Sequence, residues 1–203
     1  MRAQASYISV ILIFAITLSL MSAVYLWGNP IIQRGKTATT YEYSISKLSE
    51  IRSAISAVSK AEGSQYKVPI DLADLQLTIQ EGPYLNATNE AWLNSIELKL
   101  AQSTQIASSW ALVDPEENDM SPSGNLSSDS SGVIIGKSDG ATTVFRLWYR
   151  NLYDNHTGTN YTIEIVRGTN PITTGGRHNV LLKNNGTRVS GNTVTTSIIA
   201  GVD

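Results

Sequence analysis

The stretch QASYISVILIFAITLSLMSAVYLW, residues 4–27, carries no charged side chain, and Arg2 and Arg34 are the nearest charges on either side. Tyr7–Trp27 spans 21 residues. As a helix that is about 31 Å at about 1.5 Å per residue, which matches a hydrocarbon core of about 30 Å. Ile8, Ile11, Leu12, Ile13, Phe14, Ile16, Leu20 and Val24, with Val10, Leu18 and Leu26, cover every face of such a helix. A surface helix of a globular protein would show a single apolar stripe. Tyr7, Tyr25 and Trp27 stand at its two ends, as interfacial aromatics do. Four readings stay open at this point: a plain anchor, an anchor that also polymerises, a secretory signal, and a buried helix of a soluble domain. A secretory signal fits less well. Its apolar core runs about 7–15 residues to a small-x-small site, whereas this run is longer and the site before Val24 has Met21 three residues upstream.

The stretch also divides the composition. Over all 203 residues the net charge is −2 and charged residues make up 16%, so no basic excess draws the chain to nucleic acid. Ser, Thr and Asn are plentiful and cysteine is absent. The chain therefore has no disulfide, thiolate metal site or cysteine nucleophile, and an exported domain would stand on packing alone. The mean hydropathy of −0.08 averages a lipid-like first 27 residues with an ordinary to polar remainder.

Downstream, Gly28-Asn29-Pro30 predicts a kink or short break, because proline disfavours helix in the residue before it. A helical pattern then resumes. Ile45, Leu48, Ile51, Ile55 and Val58 recur at steps of three, three, four and three, and Glu62-Gly63-Ser64 is a stop. Residues 4–62 thus read as one long helix hinged at Gly28 and Pro30. Segment 4–27 is the membrane or filament-core part and 31–62 the amphipathic part. The stripe of the second part is expected to pack on the chain's own globular domain.

After Gly63 the apolar period falls to two, as in Leu75, Leu77 and Ile79 and in Ile96, Leu98 and Leu100, although 91–102 also suits a short helix. Further strands are expected at 105–113, 132–136, 142–150, 161–167, 179–183 and 193–199. Turn signals lie at Glu81-Gly82-Pro83, Ser138-Asp139-Gly140, Thr174-Gly175-Gly176 and Asn184-Asn185-Gly186-Thr187, with Asn185-Gly186 read as a hairpin turn. The expected fold is α+β: a long N-terminal hydrophobic helix, then a mainly antiparallel β-sandwich-like domain over 63–203. Segment 114–131, DPEENDMSPSGNLSSDSS, has no apolar period and reads as a long exposed loop.

Little points to chemistry. His156 and His178 lack metal-ligand spacing. Asp114, Glu116, Glu117 and Asp119 offer hard oxygens for calcium but not the alternation of an EF-hand loop, and a solvated loop is the better reading. No nucleophile elbow, phosphate loop or paired acid and base stands out, so no enzyme, metal or cofactor is expected. Asn86, Asn125, Asn155, Asn160 and Asn185 each begin an N-x-S/T sequon without proline. As candidate N-glycosylation acceptors they would place the C-terminal part outside the cell.

The residues preceding the apolar run carry one further signal. Arg2-Ala3-Gln4-Ala5-Ser6, then Leu12, resembles the class III signal peptide of archaeal type IV pilin-like proteins. In that family a basic and a small residue precede a cut, and Gln follows at +1, Ser at +3 and an apolar residue at +9. The matching positions are Gln4, Ser6 and Leu12; position +5, acidic in many pilins, is Ile8. The resemblance implies a leader, 1–3, removed between Ala3 and Gln4 by a prepilin peptidase on the cytoplasmic side, with the helix retained. It further implies insertion in the cell membrane before assembly and export by a pilus machinery. The end state would be a homo-oligomeric, extracellular filament at the cell surface, available for adhesion. Charge bias points weakly the other way, since Arg34, Lys36 and Lys47 follow the run. The competing function is a non-polymerising anchored protein whose β domain binds a cell-wall layer or a stator-like partner of the archaeal swimming filament.

Overall fold

A computed structural model describes residues 2–81, 94–102, 104 and 106–203, with backbone only at 2–9, 33 and 34. It divides into two units, Met1–Thr40 and Tyr41–Asp203. Helix α1, Arg2–Ser59, contributes to both. Among its described residues the second unit adds twelve strands: β1 Gln65–Asp71, β2 Leu75–Gln80, β3 Ser95–Leu100, β4 Ala111–Leu112, β5 Ser123–Asn125, β6 Gly132–Ser138, β7 Thr143–Tyr149, β8 Asn151–Asp154, β9 Thr159–Arg167, β10 Ile172–Thr174, β11 Arg177–Ser190 and β12 Thr193–Val202. The α+β class read from the sequence is the class observed, one long N-terminal helix followed by a strand domain.

Helical structure runs through Gly28 and Pro30 without the short break expected there. Proline removes one amide donor from the ladder, yet helical residues flank it on both sides. At the other end α1 stops at Ser59, three residues before the expected Glu62. Two side chains meet its last carbonyls: Ser64 Oγ donates to Val58 O at 2.7 Å, and Asn184 Nδ2 donates to the same oxygen at 3.1 Å.

The strands form two six-stranded sheets, ordered β1-β11-β12-β9-β8-β5 and β10-β2-β3-β7-β6-β4. Most neighbours are antiparallel, but β12 with β9 and β5 with β8 are parallel. Leu48, Ile51 and Ile55 of α1 are fully buried, together with Val68, Leu77, Leu98, Ile165, Val180 and Ile198 from both sheets. They belong to one contiguous core, so the amphipathic stripe does pack on the chain's own domain. That burial is also why the period-of-two strands alternate so cleanly in β2. Strands β6 and β7 are buried on nearly every residue instead. Their outer face is covered: Val133, Ile135 and Trp148 form a second cluster beneath Trp110, Leu112 and Met120.

Asn94 joins the sheets. It takes a φ of 69°, and its Nδ2 donates to Ile163 O at 2.7 Å while its Oδ1 accepts from Ile165 N at 2.6 Å. The residue is almost fully buried, yet both ends of its amide are satisfied on β9.

Three expectations are corrected. Asn185-Gly186 is no hairpin turn: β11 continues past it, and the register against β12 shifts by one residue between Asn184 and Thr187. The pair forms a bulge. Gly186 takes a φ of 107°, its N–H donates to Asn184 Oδ1 at 2.7 Å, and Asn184 is buried beneath the helix end. The turn itself falls at Gly191-Asn192, between the paired Ser190 and Thr193. The strand expected over 105–113 shrinks to β4, with Gln105 outside the described residues, whereas Ile96, Leu98 and Leu100 lie in strand β3, as their period of two predicts. Segment 114–131 is not simply an exposed loop. It contains β5, and the side chain of Asp114 is completely buried. Residues 82–93, which include the expected Gly82-Pro83 turn, lie outside the described residues.

Candidate functional site

In Val10–Trp27 the large apolar side chains are all half exposed or more, from 50% at Leu18 to 80% at Trp27. This belongs to one helix long and apolar enough to cross a membrane, none of whose apolar window is buried. Of the expected filament-core residues, Ile11, Leu12, Ile13, Phe14, Ile16, Leu20 and Val24 are exposed; the side chain of Ile8 lies outside the described residues, as do those of Ala3 and Gln4. The surface is not uniform. Ala15 and Ser19 leave a shallow groove walled by Ile11, Leu12, Ile16 and Leu20. Small residues on one helix face let a second backbone approach closely, which is how helices associate where water supplies no drive. Elsewhere on the same stretch Thr17 Oγ1 donates to Ile13 O at 2.7 Å, so its polarity is satisfied within the helix.

The acidic residues of segment 114–131 serve buried arginines. Arg52 of α1, only 7% exposed, donates from Nη1 to Asp114 Oδ2 at 2.5 Å and from Nη2 to Glu116 Oε2 at 2.6 Å. Asp114 Oδ2 also accepts from Ile134 N at 3.0 Å. Arg150, 1% exposed, donates to Glu117 Oε2 at 2.9 Å and Asp119 Oδ1 at 2.5 Å. A buried charge is tolerated only when paired and hydrogen-bonded, and each of these is. The two arginines therefore strap the segment to α1 and to the residue after β7. Among the described residues, no group of three or more His, Asp or Glu is placed to hold a metal ion. Sequence reading missed the strap because the carboxylates are exposed-looking in composition and their partners lie 62 and 33 residues away. The available signal was an arginine, Arg52, beside the apolar stripe of a helix.

A third arginine, Arg146, pairs with Glu97 and lies 4.3 Å from the Trp110 ring centroid. Burial lowers its pKa against the opposing pull of Glu97. Burial likewise pushes the Tyr149 phenol up.

His156 is exposed in the β8–β9 turn. His178 is held between two acceptors, Asp203 O at 2.9 Å from Nδ1 and Gly175 O at 2.7 Å from Nε2. Those two oxygens raise its pKa, Asp203 most. Only the imidazolium can donate to both.

Four of the five sequons fall within the described residues, and Asn86 lies outside them. Asn125 closes β5, Asn155 opens the β8–β9 turn, Asn160 is inside β9, and Asn185 stands on the β11 bulge. No family model, curated protein or solved structure matches the chain.

Proposed function

We propose that the chain is the structural subunit of an extracellular type IV pilus-like filament and polymerises through its N-terminal helix. The observation that carries this reading is the Val10–Trp27 surface, apolar on all sides and exposed on all sides. Such a surface is stable in lipid or among copies of itself, and unstable in water. At about 25 cal/mol per Å² of apolar area, exposing a helix of this length costs on the order of tens of kcal/mol. Lipid removes that cost before assembly. After the helix leaves lipid, identical helices must do so, and most of the energy merely replaces what the bilayer supplied. Extraction thus calls for an assembly motor. Contacts between successive subunits that do not close into a ring yield an open helical fibre. The leader-like Arg2-Ala3-Gln4 and Ser6 support the same reading by resemblance.

The β domain, on this reading, forms the outer wall of the fibre. The strapped 114–131 segment and the hairpin turns supply loops there for contact with other surfaces or for glycans.

Two observations on native material test the proposal. Sheared surface fibres, seen by electron microscopy, should dissolve into this polypeptide with Gln4 as its first residue. A membrane-bound monomer retaining Met1, with no fibre present, would instead mark a non-polymerising anchor. A mature chain starting near Val24 would mark ordinary secretion and end the proposal.

A further inference from the structure

The five sequons are identical in kind as sequence, but the fold treats the four described ones differently. A sequon is recognised through two groups, the amide of its asparagine and the hydroxyl two residues on. In Asn155-His156-Thr157 that hydroxyl is taken by another residue: Thr157 Oγ1 donates to Asp154 Oδ2 at 2.8 Å. In Asn160-Tyr161-Thr162 it crosses to a neighbouring strand, Thr162 Oγ1 donating to Asn151 Oδ1 at 2.6 Å, and Asn160 N donates to Asn192 O at 2.8 Å. There the asparagine sits in a strand hydrogen-bonded on both sides, between β8 and β12. In Asn185-Gly186-Thr187 the hydroxyl of Thr187 meets Thr196 Oγ1 at 3.1 Å, and the middle amide is bound to Asn184.

Asn125-Leu126-Ser127 alone among the four keeps its recognition groups to itself. Ser127 Oγ donates to Asn125 Oδ1 at 2.8 Å, and Ser127 N donates to the same oxygen at 3.0 Å. Asn125 ends β5, an edge strand of three residues, and Leu126, Ser127 and Ser128 form an exposed turn beyond it. The bonds that hold this turn are short-range: Ser128 N and Asp129 N both donate to Asn125 O, and Asn125 N donates to Asp129 Oδ2. Lifting the turn into an enzyme cleft would break the Leu126 N to Tyr153 O bond at 3.0 Å and the end of the three-residue β5–β8 pairing, where Asn125 faces Tyr153. Lifting Asn160 would open a central strand. Short, locally bonded edge segments open far more readily than central ones.

We infer that Asn125 is the glycan acceptor of the folded domain and that Asn155, Asn160 and Asn185 are not. The donor is a sugar carried on a lipid phosphate or diphosphate. Asn125 Nδ2 bonds to the anomeric carbon and the bond from that carbon to the phosphate oxygen breaks. The phosphate leaves on the lipid, and a base of the transferring enzyme takes the Nδ2 proton. Nothing is oxidised or reduced. In the cell this transfer rests on the extracellular placement proposed above. Acceptor competence does not, so the two can fail separately.

The test uses the folded full-length chain in detergent, with Asn86→Gln throughout because residue 86 lies outside the described segment. It is incubated with a purified single-subunit oligosaccharyltransferase of N-x-S/T specificity and a lipid-linked oligosaccharide, and each site is followed by peptide mass spectrometry. Asn125 should fill at least about tenfold faster than Asn160 and Asn185, whose sequons are held by bonds between strands, and measurably faster than Asn155, whose Thr157 hydroxyl must first leave Asp154. Ser127→Ala should abolish transfer to Asn125 and Ser127→Thr should preserve it. Urea-unfolded chain should lose the ranking, which shows that the fold imposes it. Equal rates in the folded chain would overturn the inference, as would faster filling of any other site. So would an inert folded chain whose unfolded form accepts glycan.

Discussion

The two halves of α1 are made of similar residues and meet opposite fates. Ile13 and Phe14 are 64% and 66% exposed, whereas Leu48 and Ile51 are 0% exposed. The difference lies in arrangement. In the first half apolar residues occupy every face, more than any one-sided packing surface could cover. In the second they are confined to one stripe, which fits against one core and leaves Ser53 and Ser56 for water. The two halves thus suit different surroundings, and the pattern of each specifies its own.

The sharpest way to break this comparison is to place the same charge in each half. Ile51→Asp buries an unpaired carboxylate and should remove about 4 kcal/mol or more of folding stability, enough to unfold the β domain, as read by circular dichroism. Ile13→Asp should leave the melting of the β domain unchanged and abolish fibres, because a charge at that depth costs about 3 kcal/mol in a bilayer and each copy in a fibre would bear it. Normal fibres from Ile13→Asp would refute the bundled-core proposal.

Next in size is the strap. Arg52→Met strands the completely buried Asp114 carboxylate and should cost about 3–5 kcal/mol in urea unfolding. Adding Asp114→Leu should return most of it, since a well-packed apolar pair often matches a buried ion pair. If the single variant is neutral, the strap is a surface feature and the two halves differ less than claimed. Asn184→Ala should cost about 1–2 kcal/mol by chemical denaturation, for it frees the α1 carbonyls and the Gly186 amide together.

The smallest effect is electrostatic. The folded pKa of His178 is raised, chiefly by Asp203 O and then by Gly175 O. Its contribution is therefore fully present below the ordinary histidine value of 6.5 and lost as pH rises through the higher folded value. Asp203, Lys67, Asp71 and Arg177 are the charges around it. The melting temperature should decline slightly over that window in the native chain and stay flat in His178→Phe. An NMR titration of the ring should show the raised value directly.

Sequence alone determined what depends on short-range pattern. The 4–27 run, the stripe Ile45 to Val58, the alternation in Leu75–Ile79 and the turns at Asp139-Gly140 and Gly175-Gly176 were all legible, because solvent preference and positive φ are properties of nearby residues. The tertiary structure decided what depends on partners far along the chain. Asn185-Gly186 could serve a turn or a bulge equally well, and the choice fell to Asn184, which the helix end holds in place from 126 residues away. The acids of 114–131 look solvated until Arg52 and Arg150 come beside them. The sequons look alike until the fold commits three of the four described hydroxyls elsewhere. Apolar pattern is local and additive, while polar pairing requires a particular partner at hydrogen-bond distance, and only the folded chain brings one there.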